Sequence, residues 1–128
     1  MEENNKYQNK REMQLLLSSW TAELANWLAE EENMGHAKAF RKAHLTRRLL
    51  EALGKGEVKF RYKKRDGEVR VARGTLCRGV CEGYDHYKFK EHEAFARARE
   101  RGTYVYFDLD RQGFRSFRAA ELIDIINE

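Results

Sequence analysis

Proline is missing from this chain: none occurs among its 128 residues. Against an average usage of about 5%, that absence excludes polyproline ligands and stiff proline-rich linkers. Only two cysteines are present, too few for a disulfide framework, so a reducing cytoplasm is the expected compartment. No stretch approaches the roughly 18 uninterrupted apolar residues that a membrane-crossing helix needs, and no membrane role is expected. The start, Met1-Glu2-Glu3-Asn4-Asn5, is acidic and polar, without the basic and apolar regions of a secretory signal. Glycine is unevenly spread, with Gly35 the only one of nine before Gly54.

What is present suits one small domain or a domain with a helical attachment. Charged residues make up 36% of the chain and the hydrophobic set 41%. The net charge of +4 and a pI near 9.1 hint mildly at an anionic partner. Resolved along the chain, the charge is sharper. Residues 1–53 carry eight basic and eight acidic residues, whereas residues 54–128 carry 17 and 13. All of the excess therefore lies in the second part, which begins at Gly54-Lys55-Gly56, a break suited to ending a helix.

Residues 1–53 read as an antiparallel helical hairpin. Met13, Leu17, Trp20, Leu24 and Trp27 recur at helical spacings, with Leu16 and Leu28 widening the stripe. Ala39, Ala43, Thr46, Leu50 and Leu53 repeat the rhythm, and Asn33-Met34-Gly35 is the short connection that makes the two helices antiparallel neighbours. Folded about Met34, Trp27 faces the small Ala39/Ala43 end and Leu17 faces Leu50, a large-against-small pairing. Two helices bury little, so the hairpin is expected to dock on residues 54–128 or on a second copy of itself.

Residues 54–128 read as strands. Val58, Phe60 and Tyr62 alternate with Lys59, Arg61 and Lys63, the period-2 pattern of a half-buried strand. Asp66-Gly67 turns the chain into Val69–Leu76, in which Gly74 marks a bulge or bend. Thr103–Leu109 is the richest in β-branched and aromatic residues. Asp110-Arg111-Gln112-Gly113 leads from it to Phe114–Arg118, and a tight Ala119-Ala120-Glu121 turn precedes a closing strand at Leu122–Ile126. The excursion from Cys77 to Gly102 contains a predicted helix over Glu91–Arg101. The reading is α+β: a helical hairpin at 1–53 and a small five-stranded barrel at 54–128, with a helical excursion between strands 2 and 3.

Two hairpins carry a family resemblance. Val58-Lys59-Phe60-Arg61-Tyr62, Asp66-Gly67 and Val69-Arg70-Val71-Ala72 resemble the opening hairpin of WYL domains. Tyr104-Val105-Tyr106-Phe107-Asp108, Gly113-Phe114-Arg115-Ser116-Phe117-Arg118 and Leu122-Ile123-Asp124-Ile125 look like the second WYL motif. The chain is most similar to a small WYL-related family of short bacterial proteins, many from Bacteroidota and mobile elements. The resemblance implies an Sm-like, SH3-like β-barrel and a binding role, with nucleotides or nucleic acid as ligands. Arg115 and Arg118 are the positions that carry over from the family pattern. The Trp-Tyr-Leu tripeptide is replaced by Tyr104-Val105-Tyr106-Phe107, the Asp-Arg pair of WYL regulators by Ala120-Glu121, and no winged-helix pattern precedes the barrel.

The chemistry resides in a few clusters. Residues 54–79 hold nine basic residues against Glu57, Asp66 and Glu68. With Val58, Phe60 and Tyr62 facing the core, Lys59, Arg61 and Lys63 share the solvent face, and Arg70 is expected to join them from the paired strand. With Lys64 and Arg65 at the turn, this stripe reads as a phosphate-contacting surface or as a solvated strand face guarded by lysines. Cys77, Cys81, His86 and His92 form C-x3-C-x4-H-x5-H, a zinc-type ligand set, against which stands the reading of small buried cysteines and exposed histidines. Tyr84, Tyr87 and Phe89 interleave with Lys88 and Lys90, a pattern for stacking bases or for packing on the barrel. Asp108 and Asp110 are either paired carboxylates for a cation or acid–base work, or turn formers. No nucleophile motif or phosphate loop accompanies them, so no enzyme is expected. The sequence thus predicts a non-enzymatic binding module for nucleic acid or a nucleotide, through Lys59, Arg61, Lys63, Lys64, Arg65, Arg70, Arg115 and Arg118. The alternative is a protein-interaction or assembly component, a mobile-element accessory or host-directed inhibitor, that uses the helical hairpin for a homodimer or another protein.

Overall fold

The structure, a computed structural model, describes residues 18–86 and 97–126. The chain divides into two compact units whose boundary falls between Arg47 and Arg48, inside a helix. Among the described residues, no helix is long and apolar enough to cross a membrane.

The first unit contains a helix, α1, described over residues 18–31, and the first part of α2 (His36–Lys55). Thr21, Leu24, Ala25 and Leu28 are buried along one face of α1, while Trp20 and Trp27 flank it half-buried. That i, i+3, i+4, i+7 spacing is the inward stripe of an amphipathic helix. The small Ala39 and Ala43 of α2 are fully buried, so the two helices pack as the sequence predicts. Asn33 takes the left-handed conformation (φ 51°) at the connection, which a short polar side chain tolerates better than a β-branched one. Met13 and Leu17 lie outside the described residues.

Further along α2 the buried residue is Leu49, not Leu50. The buried positions Ala39, Ala43, Thr46, Leu49 and Leu53 follow steps of four, three, three and four, so the buried stripe drifts around α2. The even 4-3 rhythm missed this, because it assumed one buried face for the whole helix. Thr46, also buried, satisfies its hydroxyl by donating to the Lys42 carbonyl at 2.8 Å.

The second unit holds five strands: β1 (Val58–Lys63), β2 (Val69–Thr75), β3 (Thr103–Asp108), β4 (Gly113–Arg118) and β5 (Leu122–Ile125). They form one antiparallel sheet in the order β4-β3-β2-β1-β5. β4 and β5 are its two edges, so the hydrogen-bond ladder is not closed into a ring. The 3-10 turn Ala119–Glu121 takes the chain directly from one edge to the other, and the Ile126 amide continues the β5–β1 pairing by donating to Lys59 O at 2.7 Å. A short helix, α3 (Glu82–Asp85), which the sequence pattern did not show, follows β2. Most of the predicted Glu91–Arg101 helix, with Tyr87, Lys88, Phe89 and Lys90, lies outside the described residues.

The core is aromatic. Val58, Phe60 and Tyr62 are buried on alternate positions of β1, opposite Gly74, Ala72 and Arg70. Phe60 meets Tyr106 edge-on at 5.0 Å and Phe117 at 5.8 Å, a favoured quadrupole geometry. Gly74 is not a bulge: it pairs in regular register with both Val58 and Asp108. Its missing side chain leaves room for the Tyr106 ring, because a Cβ there would lie 2.6 Å from Tyr106 Cδ2. At the β1–β2 turn, Gly67 has φ +93°, and the Lys64 amide donates to Glu68 O at 2.7 Å. The Asp66 carboxylate accepts the Glu68 amide at 3.0 Å, which makes Asp66-Gly67 a self-supported turn.

Candidate functional site

Strand alternation sorts the basic residues onto two faces. Lys59, Arg61 and Lys63 lie on the outer face of β1, with Val71 and Val69 opposite Arg61 and Lys63. Arg70 does not join them. It pairs in register with the buried Tyr62 and therefore projects on the core side of the sheet. Arg73 is the β2 arginine that shares the outer face, opposite Lys59. The expectation was one position out of phase, and a one-residue offset reverses a strand's faces.

Two arginines of the outer face are paired within the protein. Arg61 makes a two-pronged ion pair with Asp124 of β5, with Nε 2.8 Å from Oδ1 and Nη2 in contact with Oδ2. The hydrogen bond and the opposite charge hold the Asp124 carboxyl below the usual range. Arg73 donates to Glu57 at 2.5 Å and to Asp110 at 2.7 Å. These cations already have counterions.

The other face opens into a cleft of about 370 Å³ between the β1–β2 turn and β4. Six of the eight predicted residues line it: Lys64, Arg65, Arg70, Arg115 and Arg118, together with Lys63, the last residue of β1, which strand alternation assigns to the outer face. Arg97, which the sequence reading did not single out, adds a seventh cation, whereas Asp66 is the one acidic residue in the lining. Lys59 and Arg61 are not part of it. A concave wall of predominantly positive charge favours an anion, and the volume lies in the range of small-ligand sites.

The cleft's cations are anchored in different ways. Lys64 has Asp66 at 3.5 Å and Glu68 at 3.4 Å; Arg65 has Glu100 at 2.9 Å; Arg118 has Glu121 at 3.8 Å. Arg115 Nε lies 3.0 Å from Oδ2 of the buried Asp108, close enough for ion attraction but without hydrogen-bond alignment. Arg70 differs from all of these. Burial acts to lower its pKa, but contacts with the hydroxyls of Tyr62 and Tyr106 raise it on balance. Burial, followed by the neighbouring Tyr62 and Asp108, pushes the Tyr106 hydroxyl far above its ordinary value. Arg70 is thus held at the two tyrosine hydroxyls, and the nearby carboxylate of Asp66 feels its charge.

Among the described residues, the remaining clusters are not assembled for chemistry. Asp108 ends β3 with Oδ1 accepting the amides of Asp110 and Arg111 at 2.9 and 3.0 Å, as a turn former does. Asp110 is exposed on Arg73, so the two carboxylates are not paired. The zinc expectation is not supported among the described residues. Cys77 Sγ lies 3.4 Å from Arg78 O and Cys81 Sγ 3.4 Å from Gln112 Oε1, and no three metal-ligating side chains come together. His92 lies outside the described residues. Tyr84 packs on Phe107 and Phe114 at 5.6 and 6.2 Å, so packing on the sheet, not base stacking, describes this aromatic.

Residues 46–123, more than half of the chain, match the WYL_2 family, described as having an Sm-like SH3 β-barrel fold. No curated protein and no solved structure was found to match.

Proposed function

The chain belongs to the WYL_2 family of Sm-like SH3 β-barrel fold, and we propose that it is a non-enzymatic binding module for the phosphates of nucleic acid or a nucleotide. The observation that carries this reading is the cationic cleft with Arg70 held by phenols at its floor. Phosphate oxygens match a guanidinium in charge and geometry. Lys63, Lys64 and Arg65 at the turn and Arg115 and Arg118 on β4 surround that arginine with further positive charge. Lys59 and Arg61 act, in this reading, as structural surface residues.

The test is fluorescence polarisation with single- and double-stranded oligonucleotides and with labelled nucleotides. Binding that weakens as salt rises, with a slope that grows with the number of phosphates engaged, is the expected result. Absence of binding at low salt, or affinity indifferent to salt, overturns the proposal.

A second reading rests on the first unit. Phe40 of α2 is 57% exposed and stacks on His44 at 6.1 Å, an apolar surface suited to a protein partner or a second copy. Light scattering before and after Phe40→Ser tests it: a dimer lost in the variant supports this role, and a monomer in both rejects self-association.

A further inference from the structure

The two tyrosines beneath Arg70 hold more hydrogen-bond donors than the protein accepts. Tyr62 Oη and Tyr106 Oη are 2.7 Å apart and buried. Each hydroxyl has one hydrogen to give and can accept. Only one of the two hydrogens can lie between the oxygens. The guanidinium of Arg70, the other polar group at both hydroxyls, has no lone pair to offer. One hydroxyl hydrogen is therefore left without an acceptor among the described residues, beside a cation and inside a cleft.

Burial identifies which one. Tyr106 is fully buried, whereas Tyr62, although only 3% exposed, lines the cleft. The economical arrangement has the Tyr106 O–H donating to Tyr62 Oη, and the Tyr62 O–H directed to the cleft. An unspent buried donor is unfavourable, and an anionic oxygen placed against Arg70 satisfies it.

We propose that the Tyr62 hydroxyl is a ligand-contacting group, which donates to the same anionic oxygen that Arg70 binds, with Tyr106 as the positioning residue behind it. This inference rests on the reading of the cleft as a phosphate site and adds a residue that selects for a hydrogen-bond-accepting anion over bare negative charge. The Tyr62 O–H adds a neutral donor that a phosphoryl oxygen satisfies, beside the charged N–H donors of Arg70 and the surrounding lysines.

The experiment compares Arg70→Gln, Tyr62→Phe and Tyr106→Phe with the unaltered chain, using a fluorescein-labelled single-stranded oligonucleotide as the probe. Phenylalanine keeps the ring that packs on Phe60 and Phe117, and thermal melts check that each variant is folded. The expected result is binding about tenfold weaker in Tyr62→Phe, in line with loss of a hydrogen bond to a charged group. Weakened binding in Arg70→Gln with unchanged binding in Tyr62→Phe overturns the tyrosine inference and leaves the phosphate site standing. Unchanged binding in both variants overturns the phosphate site itself. A second measurement needs no substitution: in protein labelled at tyrosine Cζ, the Tyr62 resonance is expected to move on addition of the oligonucleotide. A Tyr62 resonance that stays fixed while the probe is bound contradicts the inference.

Discussion

Tyr62 and Tyr106 join their hydroxyls at 2.7 Å, linking β1 to β3 across the core beneath Arg70. The contact is structural and electrostatic at once. Their rings pack edge to face at 6.0 Å, and their oxygens hold a guanidinium without neutralising it. The aromatic core and the charged cleft therefore share the same side chains.

The core side of that relationship is testable at Phe60, which is fully buried and touches Tyr62, Tyr106 and Phe117. Phe60→Ala is expected to destabilise the fold by about 3–5 kcal/mol, as for a fully buried ring. Urea denaturation measures it, and a loss under about 1 kcal/mol would contradict the packing described.

Gly74 offers a sharper steric test. A methyl group added there lies 2.6 Å from the Tyr106 ring, whereas one added at Gly113 meets nothing within 4 Å. Gly74→Ala is expected to cost about 1–3 kcal/mol through overpacking, and Gly113→Ala to remain within about 0.5 kcal/mol. Comparable thermal melts for the two variants would refute the close approach.

Asp108 supports a turn with one oxygen and faces Arg115 with the other. Asp108→Asn keeps an acceptor for both turn amides but removes the charge; Asp108→Ala removes both. The alanine variant is expected to be the less stable by about 1 kcal/mol or more. Equal stability in the two variants, measured by chemical denaturation, would remove the turn-forming role.

These elements also show how far the sequence could be read. The period-2 pattern of Val58, Phe60 and Tyr62, the Asp66-Gly67 turn and the aromatic run at 104–107 each contain local information, so the strands and their order of appearance were legible. The face of Arg70 was not. Val69 and Val71 are apolar yet 54% and 53% exposed, so the local pattern of β2 does not mark its buried face. Register with β1 decided the matter, and register is a long-range property. The cleft was largely legible: of its seven cations, charge density identified Lys63, Lys64, Arg65 and Arg70, and the family resemblance identified Arg115 and Arg118. The tyrosine floor depends on which strands pair, which no local spacing records, and Arg97 reaches the cleft from outside the strands.

Acid sensitivity follows from the outer face. The Asp124 carboxyl is held low first by its hydrogen bonds from Arg61 and then by that charge, and Asp66 is held low chiefly by the Glu68 amide. A lowered folded-state pKa contributes stability that is present above the usual carboxylate value of about 3.9 and is lost as pH falls through the lowered value. The contribution is small, because both groups are exposed. The difference in melting temperature between the unaltered chain and Asp124→Asn is expected to be constant near neutrality and to vanish in acid. A difference that grows on acidification would have the wrong sign.

The central claim is that the cleft, and not the basic outer face of the first hairpin, receives the ligand. The direct measurement is oligonucleotide affinity at fixed salt for Arg70→Gln beside Arg61→Gln, two substitutions with equal change in charge on adjacent strands. The account predicts about tenfold or greater loss for Arg70→Gln and less than about twofold for Arg61→Gln, whose charge is already matched by Asp124. Equal losses, or a larger loss for Arg61→Gln, would contradict it.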